Sequence, residues 1–405
     1  MATNKYNHLP LYIAGMGVIS AIGNNVEECL DALEHERAGM GRIDHLQTIH
    51  RDQIPVAGVP ASNEELASLT GVSPLVSRTA LLSLVAATEA LASSGLETGS
   101  HWRIGMVAAN TVGGMDKTEH FFRSFLENSQ KGRLRDVVGH ECGTSTEWVA
   151  DRLGIRSYRT TINTACSSSA NALAFAARLI RHGMLDVVIA GGADSLTTFT
   201  LNGFNTLMIL DREYCMPFDE DRKGLNLGEG AGYLVLVSEA VAATLTRAPT
   251  CRLAGFCNRN DAYHQTASSP DGRGSFLAMQ GALENSGLQP ADIDYINLHG
   301  TGTQNNDLAE GLAIKRLFDP HYPKMSSTKS FTGHTLGASG GIEAVFSALA
   351  VQQDIIYPNL RFRTAMKELP FTPETRLIKD TPVKHVLSNS FGFGGNCSSL
   401  IFSKR

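Results

Sequence analysis

The chain has 405 residues, 42% hydrophobic and 19% charged, with a formal net charge of −5. That balance fits a globular protein with a large core, built as two domains or one tightly fused pair. Mild acidity argues against a nucleic-acid binder, no run reaches the roughly 18 apolar residues of a membrane span, and seven cysteines without paired close spacing do not make a disulfide framework. The first ten residues lack the apolar stretch of a signal peptide, so a cytoplasmic location is expected.

Leu11–Ala14 is apolar and runs into Gly15–Met16–Gly17, predicting a strand that feeds a glycine turn. The pair is not a dinucleotide fingerprint: Gly23 stands eight residues past Gly15, and no distinctive acid follows. Asn25–His35 and the Ala/Leu-rich Ser77–Ser93 predict helices, and Ile104–Ala109 predicts a buried strand running into Thr111–Gly114. Asp116–Thr146 is mixed and polar, and its Lys131, Arg133 and Arg135 read as a solvated basic face.

Asn163–Thr164–Ala165–Cys166–Ser167–Ser168–Ser169 precedes small and apolar residues at Ala170, Leu173, Ala174, Ala177 and Ile180, the spacing of a helix face packed on a core. Cys166 therefore stands where a helix begins. Unpaired N–H groups and the positive end of the helix dipole are expected to lower its pKa and make it a nucleophile. A buried structural cysteine is the alternative, but the small neighbours leave room for a substrate. Leu185–Asp194 predicts a fully buried strand closed by glycines, completing an α/β unit that covers a sheet on both faces.

A charged loop, Met216–Gly224, leads through Leu227–Gly232 to the apolar strand Tyr233–Val237. Ser238–Thr250 is Ala/Thr-rich and marks the expected boundary between halves 1–250 and 251–405. Beyond it the pattern restarts: Arg252–Phe256 as a strand, Gly274–Ser286 as a helix, Asp294–Leu298 as a strand, Asn306–Phe318 as a helix. Ile342, Val345, Phe346, Leu349 and Ala350 repeat the period of the Cys166 helix, so two halves on one plan are expected. Lys384–Ser388 and Ser399–Phe402 close the chain as strands, with Asn389–Asn396 between them as a loop whose glycines permit close backbone approach.

His299, in Leu298–His299–Gly300–Thr301–Gly302–Thr303, and His334, in Phe331–Thr332–Gly333–His334–Thr335–Leu336–Gly337, have small, glycine-laden neighbours that leave an imidazole facing a cavity. Lys329, five residues before His334, can reach the same cavity. Cys166, His299 and His334 come from separate elements without the short ligand spacing of a zinc site, so no metal is expected. Cys–His hydrolysis remains open from the bare residues, although two histidines and a lysine exceed what it calls for.

These motifs, in this order and over essentially the whole length, resemble a β-ketoacyl-[acyl-carrier-protein] synthase of the elongating type, a condensing enzyme with the thiolase fold. The set also includes Pro217–Phe218–Asp219, Gly228–Glu229–Gly230–Ala231, Asp307, Gly337–Ala338–Ser339–Gly340 with Glu343, and Asn389–Ser390–Phe391–Gly392–Phe393–Gly394–Gly395. The resemblance implies an α/β thiolase-like fold of two pseudo-repeated halves in a layered α-β-α-β-α core. It implies a cytoplasmic acyltransferase of fatty-acid or polyketide synthesis, Cys166 as the acyl-accepting nucleophile, and His299 and His334 as the pair that supports decarboxylation. Lys329 would hold the charge network, with Glu343 and Asp307 in support. The backbone N–H groups of Cys166 and Phe393 would form the oxyanion hole, Phe393 the gate and Val112 part of the acyl pocket. No cofactor is implied, since phosphopantetheine arrives on the acyl carrier protein. A homodimer formed through edge strands is implied, and a heterodimer with a related subunit stays open.

Three relatives of the same fold fit less well. Degradative thiolases have a Cys–x–Gly motif near the end, which Gly395–Asn396–Cys397–Ser398 does not match. Initiating synthases have an asparagine where His334 stands, and non-catalytic chain-length subunits lack the nucleophile. Two departures, the Gly394–Gly395–Asn396–Cys397 ending in place of Gly–Gly–Thr–Asn and a basic carrier-docking loop not clearly reproduced, keep open a specialised polyene or polyketide pathway with its own carrier protein.

Overall fold

The computed structural model describes residues 9–42 and 46–405. Its strands are β1 (Leu11–Ser20), β2 (Ile104–Ala109), β3 (Tyr158–Ile162), β4 (Val187–Asp194), β5 (Gly230–Ser238), β6 (Cys251–Asn260), β7 (Tyr295–Asn297), β8 (Lys324–Ser326), β9 (His385–Gly392) and β10 (Asn396–Lys404). They lie in the order β3-β2-β4-β5-β1-β6-β10-β9-β7-β8. The junction between β1 and β6 is the single pair Tyr12↔Arg252, so the order divides there into two five-stranded halves.

Read outward from that junction, each half runs first, fifth, fourth, second and third strand. The pairing senses also match: antiparallel for β1–β5 and β6–β10, antiparallel for β5–β4 and β10–β9, parallel for β4–β2 and β9–β7, parallel for β2–β3 and β7–β8. The faint periodicity shared by the two halves of the sequence is one topology used twice.

Between the sheets lie the helices Ser168–Arg181 and Ser339–Gln353. Both are apolar around most of their circumference, as a helix covered on two sides must be, and residues 339–351 are all buried. One apolar cluster joins them to both sheets through Leu173, Ile180, Val345 and Phe346. A second cluster sits under the outer helix Arg78–Ser94, and a third under Arg273–Ser286 and Gln304–Phe318. The layers are therefore α-β-α-β-α.

Several elements differ from expectation. β1 does not stop at a glycine turn but runs unbroken from Leu11 to Ser20. Gly15 and Gly17 serve helix packing: a Cβ would lie 2.2 Å from the carbonyl of Ala90 and 2.1 Å from that of Ala86, both on the helix Arg78–Ser94. The stretch Asn389–Asn396 is mostly strand, because β9 pairs with β10 as far as Gly392↔Asn396; only Phe393–Gly395 turns. The polar segment after Gly114 holds an amphipathic helix, Met115–Glu127, none of whose residues is buried, with Phe122, Phe125 and Leu126 exposed. Among the described residues, no helix is long and apolar enough to cross a membrane.

Candidate active site

Cys166 lies two residues before its helix, on a tight turn. Ala165 has φ 53°, a left-handed conformation costly for a residue with a Cβ. The serines that follow hold the turn in that shape. Ser168 Oγ accepts the N–H of Thr164 at 2.8 Å, Ser167 Oγ donates to the Thr164 carbonyl at 2.8 Å, and Ser169 Oγ accepts the N–H of Gly341 on the second central helix at 2.7 Å.

The β9 end closes on this turn because Gly392 has no side chain. A Cβ there would lie 2.8 Å from the Thr164 carbonyl and 3.1 Å from the Cys166 nitrogen. The backbone N–H of the next residue, Phe393, then reaches the Cys166 sulfur, and the N–H of Cys166 itself also acts on it. Burial nevertheless pushes the thiol up to about 11, against the pull of Lys329 and these N–H groups. This corrects the expectation of a lowered pKa: for a buried sulfur the desolvation of a thiolate outweighs the helix terminus. At rest Cys166 is a thiol.

His299 and His334 are each 2% exposed, and their rings stand 5.5 Å apart and nearly perpendicular. The hydrogen-bond network assigns both tautomers. At His334, Nδ1 receives the N–H of Leu336 at 3.2 Å and lies 3.0 Å from the Ser339 hydroxyl, so the proton belongs on Nε2. At His299, Nδ1 lies 3.3 Å from Lys329 Nζ. An ammonium has only donors, so the proton of His299 also sits on Nε2. Burial first, then the Lys329 charge, holds both imidazoles well below the usual histidine range, with the His334 charge adding to the effect at His299. Both rings are neutral donors at pH 7.

Lys329 is 1% exposed and pairs with Glu343 Oε1. Burial pushes Glu343 up to about 7 against the attraction of Lys329. Asp307, in the first turn of Gln304–Phe318, accepts the N–H groups of Thr301 (3.0 Å), Gly302 (3.1 Å) and Phe218 (2.8 Å), and so fixes the loop after His299.

Cys166, His299, His334, Phe391 and Phe393 line one cavity of about 470 Å³, together with Thr301, Thr303 and Asn305. Val112 is not on its surface. It packs behind it with Leu196, Leu201 and Leu336, against Phe204 and Ile209, which do line the cavity. Among the described residues no group of three or more His, Cys, Asp or Glu side chains is placed to hold a metal ion.

Two positions had escaped the sequence reading. Glu310 accepts the backbone N–H of His299 (2.9 Å) and of Gly300 (2.9 Å) and the amide of Asn389 (2.9 Å), and burial pushes it up to about 7. Its signal was present: Asp307 and Glu310 stand three apart on one helix face, after a glycine-rich loop with N–H groups to satisfy. Phe204, on Thr198–Thr206, stacks on Phe393 with centroids 5.8 Å apart and planes 18° from parallel. No local pattern marks it.

The sequence families described as "Beta-ketoacyl synthase, N-terminal domain" and "Beta-ketoacyl synthase, C-terminal domain" match residues 10–242 and 250–363. The chain is 32% identical over 411 residues to 3-oxoacyl-[acyl-carrier-protein] synthase 2 of Staphylococcus aureus (strain MRSA252), covering 98% of this chain and 99% of that one. Among solved structures, "The ishigamide ketosynthase/chain length factor" superposes with TM-score 0.93 at 27% identity, covering 98% of this chain and 100% of that one. A chain of "Ketosynthase (ApeO) in Complex with its Chain Length Factor (ApeC) from Xenorhabdus doucetiae" superposes with TM-score 0.84 at 30% identity, covering 100% of this chain and 100% of that one.

Proposed function

The chain belongs to the β-ketoacyl synthase family of carrier-protein condensing transferases, and on that premise we propose that it extends an acyl chain held on Cys166 with malonyl-[acyl-carrier-protein], giving 3-oxoacyl-[acyl-carrier-protein]. The observation that carries this is the convergence of one thiol, two neutral imidazole donors and the Phe393 N–H on a single cavity.

In the first half-reaction the carbonyl of the incoming thioester sits between the N–H groups of Cys166 and Phe393, where its oxyanion develops. The Cys166 sulfur forms the new thioester, the old C–S bond breaks, and the departing pantetheine thiolate takes the proton that Cys166 loses. No outside base is consumed, which suits a thiol held at about 11.

In the second half-reaction the malonyl C–C bond breaks and its electron pair moves toward the thioester oxygen as carbon dioxide leaves. The Nε2–H groups of His299 and His334 donate to that oxygen. The carbanion then attacks the acyl carbonyl on Cys166, a C–C bond forms, the C–S bond breaks, and the cysteine regains a proton from solvent. Lys329, Glu343 and Asp307 act behind the histidines. The growing chain passes Phe393 and Phe204 toward the apolar cluster containing Val112, where a branched side chain limits depth.

A dimer fits the surface. Among the described residues β3 pairs only with β2, none of its residues is fully buried, and it forms a free edge of the sheet. Pairing β3 with its symmetry mate would cover that edge in a homodimer. The second reading, a heterodimer in a specialised pathway with a dedicated carrier, is favoured by the two ketosynthases solved with chain length factors. The seven free cysteines suit a reducing cytoplasm.

Intact-mass analysis tests the proposal, with octanoyl- to octadecanoyl-carrier proteins and a polyenoyl one, with and without malonyl-carrier protein, beside Cys166→Ala. An adduct on Cys166 that the malonyl donor converts to an elongated product is expected. Absence of any adduct, with a stable complex to a second synthase-like subunit, would make the chain a partner subunit instead.

A further inference from the structure

Asp194 ends β4 beside the nucleophile, and its fully buried carboxylate accepts four hydrogen bonds. Oδ1 takes the N–H of Thr111 at 2.8 Å and of Val112 at 3.1 Å, while Oδ2 takes the Thr111 hydroxyl and the N–H of Gly337, each at 2.7 Å. These partners come from two places the reaction uses. Thr111–Val112 is the turn after β2 that leads into the apolar cluster behind the cavity. Gly337 lies in the 3-10 turn Leu336–Ala338 directly after His334, and the preceding Leu336 N–H is the one that holds the His334 proton on Nε2.

The packing is as close as the hydrogen bonding. A Cβ on Gly337 would lie 2.8 Å from Asp194 Oδ2 and 2.8 Å from Thr111 Cγ2. Leu336 and Val112 also share one apolar cluster. Neither turn can shift without moving the carboxylate they share.

We propose that Asp194 is a positioning residue, locking the turn that orients the His334 proton to the turn that carries Val112, so that decarboxylation geometry and acyl-pocket wall depend on one carboxylate. The inference rests on the condensing reading above. Three of the four partners are backbone N–H groups, which can only donate, and together with the Thr111 hydroxyl they suit an ionised carboxylate. Burial pushes it up to about 6 against those four bonds, which leaves it charged at pH 8. The titratable groups that feel its charge are Cys142, Cys166 and Tyr233, and at Cys166 it opposes the thiolate.

Asp194→Asn separates the roles, because an amide offers one oxygen and one NH₂ and must turn a donor toward one of the two donor pairs. Thr111→Val is the comparison: it removes the hydroxyl alone and keeps the charge and the Gly337 bond. With folding checked by circular dichroism and melting, three quantities are measured, the first two at pH 8 and the third from pH 7 to pH 10. They are self-acylation of Cys166, decarboxylation of malonyl-carrier protein by the acylated protein, and the pH profile of Cys166 alkylation by iodoacetamide.

For Asp194→Asn, decarboxylation kcat should fall about tenfold or more with the malonyl-donor KM within about threefold, the chain-length dependence of self-acylation should change as the Val112 turn loses its anchor, and the alkylation profile should move to lower pH. Thr111→Val should keep decarboxylation within about threefold and leave the profile in place. Equal losses in both variants, or an unmoved profile for Asp194→Asn, would overturn the proposal. If Asp194→Asn does not fold, Asp194→Glu carries the test: its charge stays while its longer side chain breaks the contacts, so retained decarboxylation is the overturning result. Alkylation needs no carrier substrate. A wild-type protein inert to every acyl-carrier protein would defeat the condensing reading, whereas an active enzyme with an unmoved profile defeats the role of Asp194 alone.

Discussion

Lys329 Nζ lies 3.3 Å from His299 Nδ1 and pairs on its other side with Glu343. One buried ammonium thus assigns the His299 proton to the nitrogen that faces the cavity, keeps the ring neutral and draws the Cys166 thiol downward. Lys329→Met keeps the length and removes the charge. Decarboxylation should fall about 100-fold, and the alkylation profile of Cys166 should move to higher pH, since the removed cation favours the thiolate. Adding Glu343→Gln should recover stability, by removing a carboxylate left without its partner, but not activity. Stopped carbon dioxide release and iodoacetamide titration read the two effects; a profile moving to lower pH would contradict the assignment.

The thiol itself predicts a pH dependence. With Cys166 held at about 11 by burial, the thiolate fraction rises about tenfold per pH unit throughout the range below that value. The logarithm of the alkylation rate should therefore climb with unit slope from pH 7 to pH 10. A plateau beginning below pH 8 would show a thiolate already formed at rest.

Gly392 sets the approach of the Phe393 N–H to the sulfur. Gly392→Ala places a Cβ 2.8 Å from the Thr164 carbonyl, which must push β9 off the nucleophile turn. Overpacking of this kind costs about 1–3 kcal/mol, visible as a lower denaturant midpoint. Self-acylation should fall about 100-fold as one oxyanion donor leaves its place, measured by quenched-flow mass analysis. A variant as fast as wild type would remove Phe393 from the oxyanion hole.

Phe204 restrains Phe393 by stacking, a contact typically worth about 0.5–1.5 kcal/mol. Phe204→Ala should free the Phe393 ring to move. Self-acylation should quicken by about three- to tenfold with long acyl chains, and discrimination between chain lengths should narrow. Unchanged rates across the series of acyl-carrier proteins would mean that the stack does not gate the cavity.

The residues that line the cavity, Cys166, His299 and His334, were legible because each stands in a locally distinctive setting. Cys166 precedes a helix face, and His299 and His334 sit among glycines and small residues that leave room for a cavity beside each imidazole. The elements misjudged were those whose meaning lies elsewhere in the chain. Gly15 and Gly17 look like a turn until the carbonyls of Ala86 and Ala90 are brought against them, more than sixty residues away. Helix Met115–Glu127 was missed because its apolar face meets no core of its own.

The sequence by itself determined the family and a doubled plan, and it singled out Cys166, His299, His334 and Lys329 as candidates, since these readings depend on residue type and on short-range periodicity. Tertiary structure alone decided which nitrogen of each histidine holds the proton, that burial pushes the Cys166 thiol up, and which distant residues, Asp194, Glu310 and Phe204 among them, contact the segments around the cavity. The physical reason is the same in each case. Protonation and positioning depend on desolvation and on the direction of N–H groups delivered from distant elements, and neither is a property of a residue's neighbours in the chain.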